Sequence, residues 1–149
     1  SRAEAERLAG FPLRLPATAG TPDELRVRTH LSTEVVSAVY IPSAALPDPG
    51  GSGVGMLLTE FRARVERELF AKVLGPSTTL EEVSVDGVTG YWLAGSPHEV
   101  VVKDVHGDVS RDTLRLAENT LLWQKGDVTY RIESALPRDE VLRIAASLR

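Results

Sequence analysis

The chain contains no cysteine. That excludes disulfide cross-links, thiolate zinc sites and cysteine nucleophiles together, though it assigns no compartment. Positive charge is also scarce. Lys and Arg total 17 against 21 Asp and Glu, for a net charge of −4, and no basic run exceeds an isolated Arg pair. The electrostatic footprint of a nucleic-acid-binding protein is therefore missing. No apolar stretch approaches the about 20 residues that a membrane-spanning helix needs, and no signal-peptide pattern is visible. Aromatic residues make up only 5% of the chain. Lysine is rare, with three residues against 14 Arg. Together with the frequent Ala and Val this reads as the codon bias of a GC-rich genome. The first residues, Ser1-Arg2-Ala3, contain no Met, so the chain is expected to be a fragment of a longer, membrane-anchored protein whose anchor lies upstream.

The 149 residues, 42% hydrophobic and 26% charged, suit one soluble domain over 1–149 with a sizeable core. The clearest signal is Val128, Tyr130 and Ile132 alternating with Thr129, Arg131 and Glu133. This predicts a strand with one dry and one wet face. After Pro137, the spacing of Val141, Ile144, Ala145 and Leu148 predicts a closing amphipathic helix over 137–148. Upstream, Ala3–Leu8 suits a short helix stopped at Gly10, and the prolines at 12 and 16 hold the next stretch extended. Leu25–Leu31, Glu34–Ile41 and Met56–Phe61 read as strands, and 42–55 as a long loop. Phe61, Val65, Leu69 and Val73 recur every four residues and predict a helix over 62–74 with Arg62, Arg64, Glu66, Arg67 and Glu68 on its outer face. From Leu80 onward the period is two again, with Asp86-Gly87 as a hairpin turn and further strands at Val88–Ala94, Glu99–Val105, Thr113–Leu116 and Thr120–Gln124.

Candidate chemistry is thin. Gly50-Gly51-Ser52-Gly53-Val54-Gly55 has neither the preceding strand nor the Lys of a phosphate loop, so a linker is the better reading. Asp104, His106 and Asp108 alternate and would share a strand face as metal ligands, but Gly107 sets them in a turn, where polar residues are expected anyway. Ser96 and His98, with Asp104, are the residues an enzyme would use. They lack a nucleophile-elbow sequence and an oxyanion site. Trp92, Trp123, Tyr91 and His98 are candidates for a ligand groove, although aromatic residues more often fill a core. The chain therefore reads as non-enzymatic and without a cofactor.

Several segments taken together carry a resemblance. They are Gly10-Phe11-Pro12-Leu13 with Pro16, Leu57-Leu58-Thr59-Glu60-Phe61, Val83-Ser84-Val85-Asp86-Gly87, Gly90-Tyr91-Trp92-Leu93-Ala94-Gly95-Ser96-Pro97-His98, Asn119-Thr120-Leu121-Leu122-Trp123 and Ile144-Ala145-Ala146-Ser147-Leu148. As a set they resemble the extracytoplasmic domain of uncharacterised, membrane-anchored actinobacterial proteins. Those are similar to a domain of unknown function in anti-sigma-factor-like and sporulation-associated proteins. A remoter similarity is to lipoprotein-carrier-like proteins. The resemblance implies an extracytoplasmic location, a membrane tether, no catalytic residues, and either a protein partner or a hydrophobic ligand. The expected fold is α+β: a curved antiparallel sheet of about eight strands with two amphipathic helices, near 62–74 and 137–148, packed on one face. Val65, Leu69, Val73, Val141, Ile144 and Leu148 are expected to be buried with Trp123, Tyr130 and Ile132.

Overall fold

A computed structural model describes residues 1–30, 33–65, 79–94, 99–104, 109–113 and 119–149. In chain order the elements are α1 (Arg2–Ala9), β1 (Glu24–His30), β2 (Thr33–Tyr40), β3 (Met56–Phe61), β4 (Ala63–Val65), β5 (Thr79–Val85), β6 (Val88–Ala94), β7 (Glu99–Asp104), β8 (Val109–Thr113), β9 (Asn119–Lys125), β10 (Val128–Ser134) and α2 (Arg138–Ala146). Seven strands form one open antiparallel sheet in the order β1-β2-β3-β10-β9-β6-β5, and β4, β7 and β8 form a second, three-stranded sheet. The architecture is α+β.

Local chemistry sets several of these boundaries. The Ser1 hydroxyl accepts the Glu4 amide at the start of α1, and Gly10 ends that helix in the left-handed region at φ 73°, which glycine adopts without a Cβ clash. Asp86 and Gly87 both have positive φ, 48° and 82°, the geometry of a tight turn whose twist matches its strands. They join β5 to β6 in register, Val85 opposite Val88. Asp139 and Glu140 sit in the first turn of α2 and Arg143 in its last, each sign at the favourable end of the helix dipole.

Cross-strand neighbours share a face of a sheet, so the register sorts the side chains. One face of the large sheet carries Val36, Ala38 and Tyr40 of β2, Met56, Leu58 and Glu60 of β3, Tyr130 and Ile132 of β10, Leu121 and Trp123 of β9 and Trp92 of β6. Apart from Glu60 these residues form the main core, joined by Ala5 and Ala9 of α1 and by Val141 and Ala145 of α2. The opposite face carries Val35, Phe61 and Leu122 beside Thr59, Thr129, Arg131 and Glu133, and it is buried as well.

Several expectations differ from the structure. Thr129, Arg131 and Glu133 do not form a wet face: every residue of β10 is buried, because β10 lies mid-sheet and β4 packs against it, Thr129 Oγ1 donating to the Ala63 carbonyl at 2.5 Å. The predicted helix over 62–74 does not begin as one. Ala63–Val65 is a strand whose backbone pairs with Val102–Asp104, so non-local pairing overrides a local four-residue period; Arg62, between β3 and β4, is accordingly not on a helix exterior, and 66–74, with Leu69 and Val73, lies outside the described residues. Val109–Thr113 form β8, a strand the sequence reading did not place; of the strand expected at Thr113–Leu116, residues 114–116 lie outside the described residues. Seven strands, not eight, make the large sheet. Of the expected core, Val141, Leu148, Trp123, Tyr130 and Ile132 are buried, whereas Ile144 is only partly so.

That last difference makes a test. Val141 is 1% exposed, so Val141→Asp would place an unpaired carboxylate in a dry core; the variant is expected to lose its cooperative thermal transition. Ile144→Asp is expected to keep one at a lowered midpoint, because its carboxylate reaches water. The same midpoint for both variants, by circular dichroism, would contradict this packing of α2.

Candidate functional site

Among the described residues, those singled out from the sequence do not converge on one site. Trp92 and Trp123 are 6% and 4% exposed and stand on the same face of neighbouring strands, inside the main core. Trp123 stacks on Tyr130 with ring centroids 5.3 Å apart. It faces Gly90, where a Cβ would come within 3.2 Å of the Trp123 Cβ and 3.0 Å of a Val85 methyl, so glycine makes room for the indole. Tyr91 points to the opposite face, opposite Leu122, where it packs with Leu93 and Leu122. Asp104 lies in β7, paired with Ala63. Ser96, His98, His106 and Asp108 lie outside the described residues. The Gly50–Gly55 run is closed on Asp48, whose carboxylate accepts the Gly53 amide at 2.6 Å and the Ser52 hydroxyl at 3.1 Å. A strand follows the run, not the helix N-terminus that a phosphate cradle uses.

A different site emerges beneath the N-terminal strap, Phe11-Pro12-Leu13-Arg14-Leu15-Pro16. Extended backbone alternates its side chains, and Phe11 and Leu13 are buried while Pro12 and Arg14 are exposed. Three consecutive strap amides have partners from three parts of the chain. Leu13 N–H donates to Glu6 of α1 at 3.0 Å. Arg14 N–H is shared between the two carboxylate oxygens of Glu60, at 3.2 and 3.1 Å. Leu15 N–H donates to the Arg149 carbonyl at 3.1 Å, with the return bond at 3.0 Å, and Ala17 N–H donates to the Ser147 carbonyl. Arg62 secures the strap's start, donating to the Gly10 carbonyl at 2.9 Å with its guanidinium 5.6 Å from the Phe11 ring centre.

Glu60 is 2% exposed and sits on the core side of β3, opposite Tyr130 and Val36. Burial pushes its carboxyl up to about 8, against the smaller opposing effects of the Arg14 amide and the Arg2 and Arg14 charges. Burial and the neighbouring Glu60 also push the Tyr40 and Tyr130 phenols up to about 12, so both stay neutral. The Tyr40 hydroxyl is buried without a hydrogen-bond partner. The sequence signal for this site was the one carboxylate in the apolar run Met56-Leu57-Leu58-Thr59-Glu60-Phe61.

Two spaces adjoin the strap. One is a cavity of 20 Å³ bounded by Arg14, Trp123, Tyr130 and Leu148, which is room for a single water. The other is an open groove of 610 Å³ lined by apolar Leu15, Pro16, Pro22 and Leu25 and by charged Arg2, Asp23, Glu24 and Arg149.

On the opposite face of the sheet, Arg131 Nε lies 2.9 Å from Glu133 Oε1, the two side chains 1% and 0% exposed. Thr59 and Thr120 stand opposite them on β3 and β9, each with a buried hydroxyl that has no hydrogen-bond partner. In sequence these charges looked like an ordinary solvated face. Among the described residues no three His, Asp or Glu side chains group as metal ligands.

Two substitutions test these electrostatics. Arg131→Met removes the guanidinium facing Glu133 and is expected to cost about 3–5 kcal/mol in denaturant unfolding, while the Arg131→Met, Glu133→Leu double variant costs less than the single one; a double variant as unstable as the sum of two singles would show that the pair is not coupled. Glu60 holds its proton more tightly folded than unfolded, so its contribution is fully present below about pH 4.5 and is lost as pH rises to about 8. Glu60→Gln is therefore expected to match the wild type in stability near pH 5 and exceed it by roughly 3–5 kcal/mol near pH 9. Parallel pH–stability curves would mean that Glu60 titrates normally.

Comparison of the chain with protein-family models, curated proteins and solved structures finds no match in any of the three.

Proposed function

We propose that this chain is the extracytoplasmic sensing or interaction domain of a membrane-anchored protein, like the anti-sigma-factor-like proteins its sequence resembles, and that it works by binding, not by catalysis. The observation that carries this reading is where the free space lies. The space beside Trp123 and Tyr130 takes one water, whereas the groove outside the strap, at 610 Å³, has the volume of a ligand or side-chain cluster. Recognition on the strap side of the surface suits an interaction domain better than carriage of a lipid within the core. The groove's lining supports the same reading: apolar Leu15, Pro16, Pro22 and Leu25 give contact area, and Arg2, Arg149, Asp23 and Glu24 give polar anchors of both signs.

The test of location uses the full-length protein with a reporter fused after residue 149. Alkaline phosphatase, active only outside the cytoplasm, is expected to be active in that fusion; an inactive phosphatase with a folded cytoplasmic fluorescent fusion would end the extracytoplasmic reading. Native mass spectrometry of the purified chain separates binding from lipid carriage. The expected mass is that of the polypeptide alone, and a co-purifying lipid would favour the hydrophobic-ligand carrier instead.

A further inference from the structure

We infer that the strap Phe11–Pro16 is a proton-controlled latch, closed over the sheet while Glu60 is a neutral acid and released when Glu60 ionises. The inference rests on the sensing reading above and names the regulation of that same strap and groove.

The geometry of the closed state leaves an ionised Glu60 poorly served. Its only hydrogen-bond donor among the described residues is one amide, that of Arg14, divided between two oxygens. The charged and titratable groups that face it come from three directions. On the strap there is Arg14, whose side chain is exposed. On α1 there are Arg2 and Glu6, already joined to each other at 2.9 Å, with Arg2 also donating to the Leu13 carbonyl at 2.5 Å. On the sheet there are Tyr130 of β10 and Tyr40 of β2, both neutral; Val36, opposite Glu60 on β2, brings no charge. Among the described residues no cation is buried with the carboxylate. A negative charge there gains most by admitting water, and the element between Glu60 and water is the strap.

The strap is built to move as a unit. Its polar attachments are scattered bonds to Arg2, Glu6, Glu60 and Arg62 and the short ladder to Ser147 and Arg149, while β10 beneath it is bonded along its length on both sides. Lifting it exposes Tyr40, Glu60 and the Trp123–Tyr130 stack and merges that floor with the groove along Leu15 and Pro16. A change in external pH would thus change the binding surface without unfolding the sheet.

Hydrogen exchange read by mass spectrometry, with rates corrected for the intrinsic pH dependence of exchange, tests the latch on the whole chain. Between about pH 5 and about pH 8 the protection of residues 11–17 in the wild type is expected to fall about tenfold per pH unit, then level off. At every pH it should stay at least about tenfold below that of residues 128–134, the mark of local opening. In Glu60→Gln the strap's protection is expected not to change with pH. Strap protection that is independent of pH in the wild type, equal to that of β10, or equally pH-dependent in Glu60→Gln would overturn the latch. The wild-type titration decides the matter alone if the variant does not fold. The reporter fusion reads location independently, so failure of the latch and failure of the sensing reading are separate outcomes.

Discussion

The large sheet depends on β10 being buried on both faces. It sits fourth of seven strands, and its seven residues are all inaccessible. On one side Tyr130 and Ile132 enter the main core; on the other, Arg131 and Glu133 face each other at 2.9 Å. Two charges removed from water in this way are tolerable only as a close pair with polar surroundings. Thr59 and Thr120 stand opposite the pair on the neighbouring strands.

The same placement ties the ends of the chain together. β3, formed by residues 56–61, finds its second partner only in β10, nearly half the chain later. The strap then pairs with the tail through Leu15 and Arg149. The large sheet is closed over Glu60 only once both termini are in place, and contacts of such long range are slow to form. Glu60 is the point where the first residues, the third strand and the last strands meet.

The functional reading follows from that layout. Among the described residues the interior beside the aromatic stack is nearly full, and an open groove adjoins the strap, where Arg2 and Arg149 approach from opposite ends of the sequence. On the proposed reading, a binding surface whose wall is an extended segment lying over a buried acid would link recognition to the protonation state of the domain.

Much of the local structure was legible in the sequence because it depends on neighbouring residues alone. Gly10 ends α1 since only a residue without a Cβ relaxes into the left-handed region there, and Asp86-Gly87 turns for the same reason. Alternation marked β1, β5 and β10, and the alternation of side chains along β6 separates Tyr91 from Trp92, which therefore never share a groove. Only the tertiary structure decided the rest. Ala63–Val65 became strand because β7 offered backbone partners, Arg131 and Glu133 became core because strands closed over them, and Glu60 became a buried acid because a distant strap lay across it. Burial depends on what comes to lie on the other side of a residue, and that partner is set by chain topology, while period and turn chemistry are properties of the segment itself.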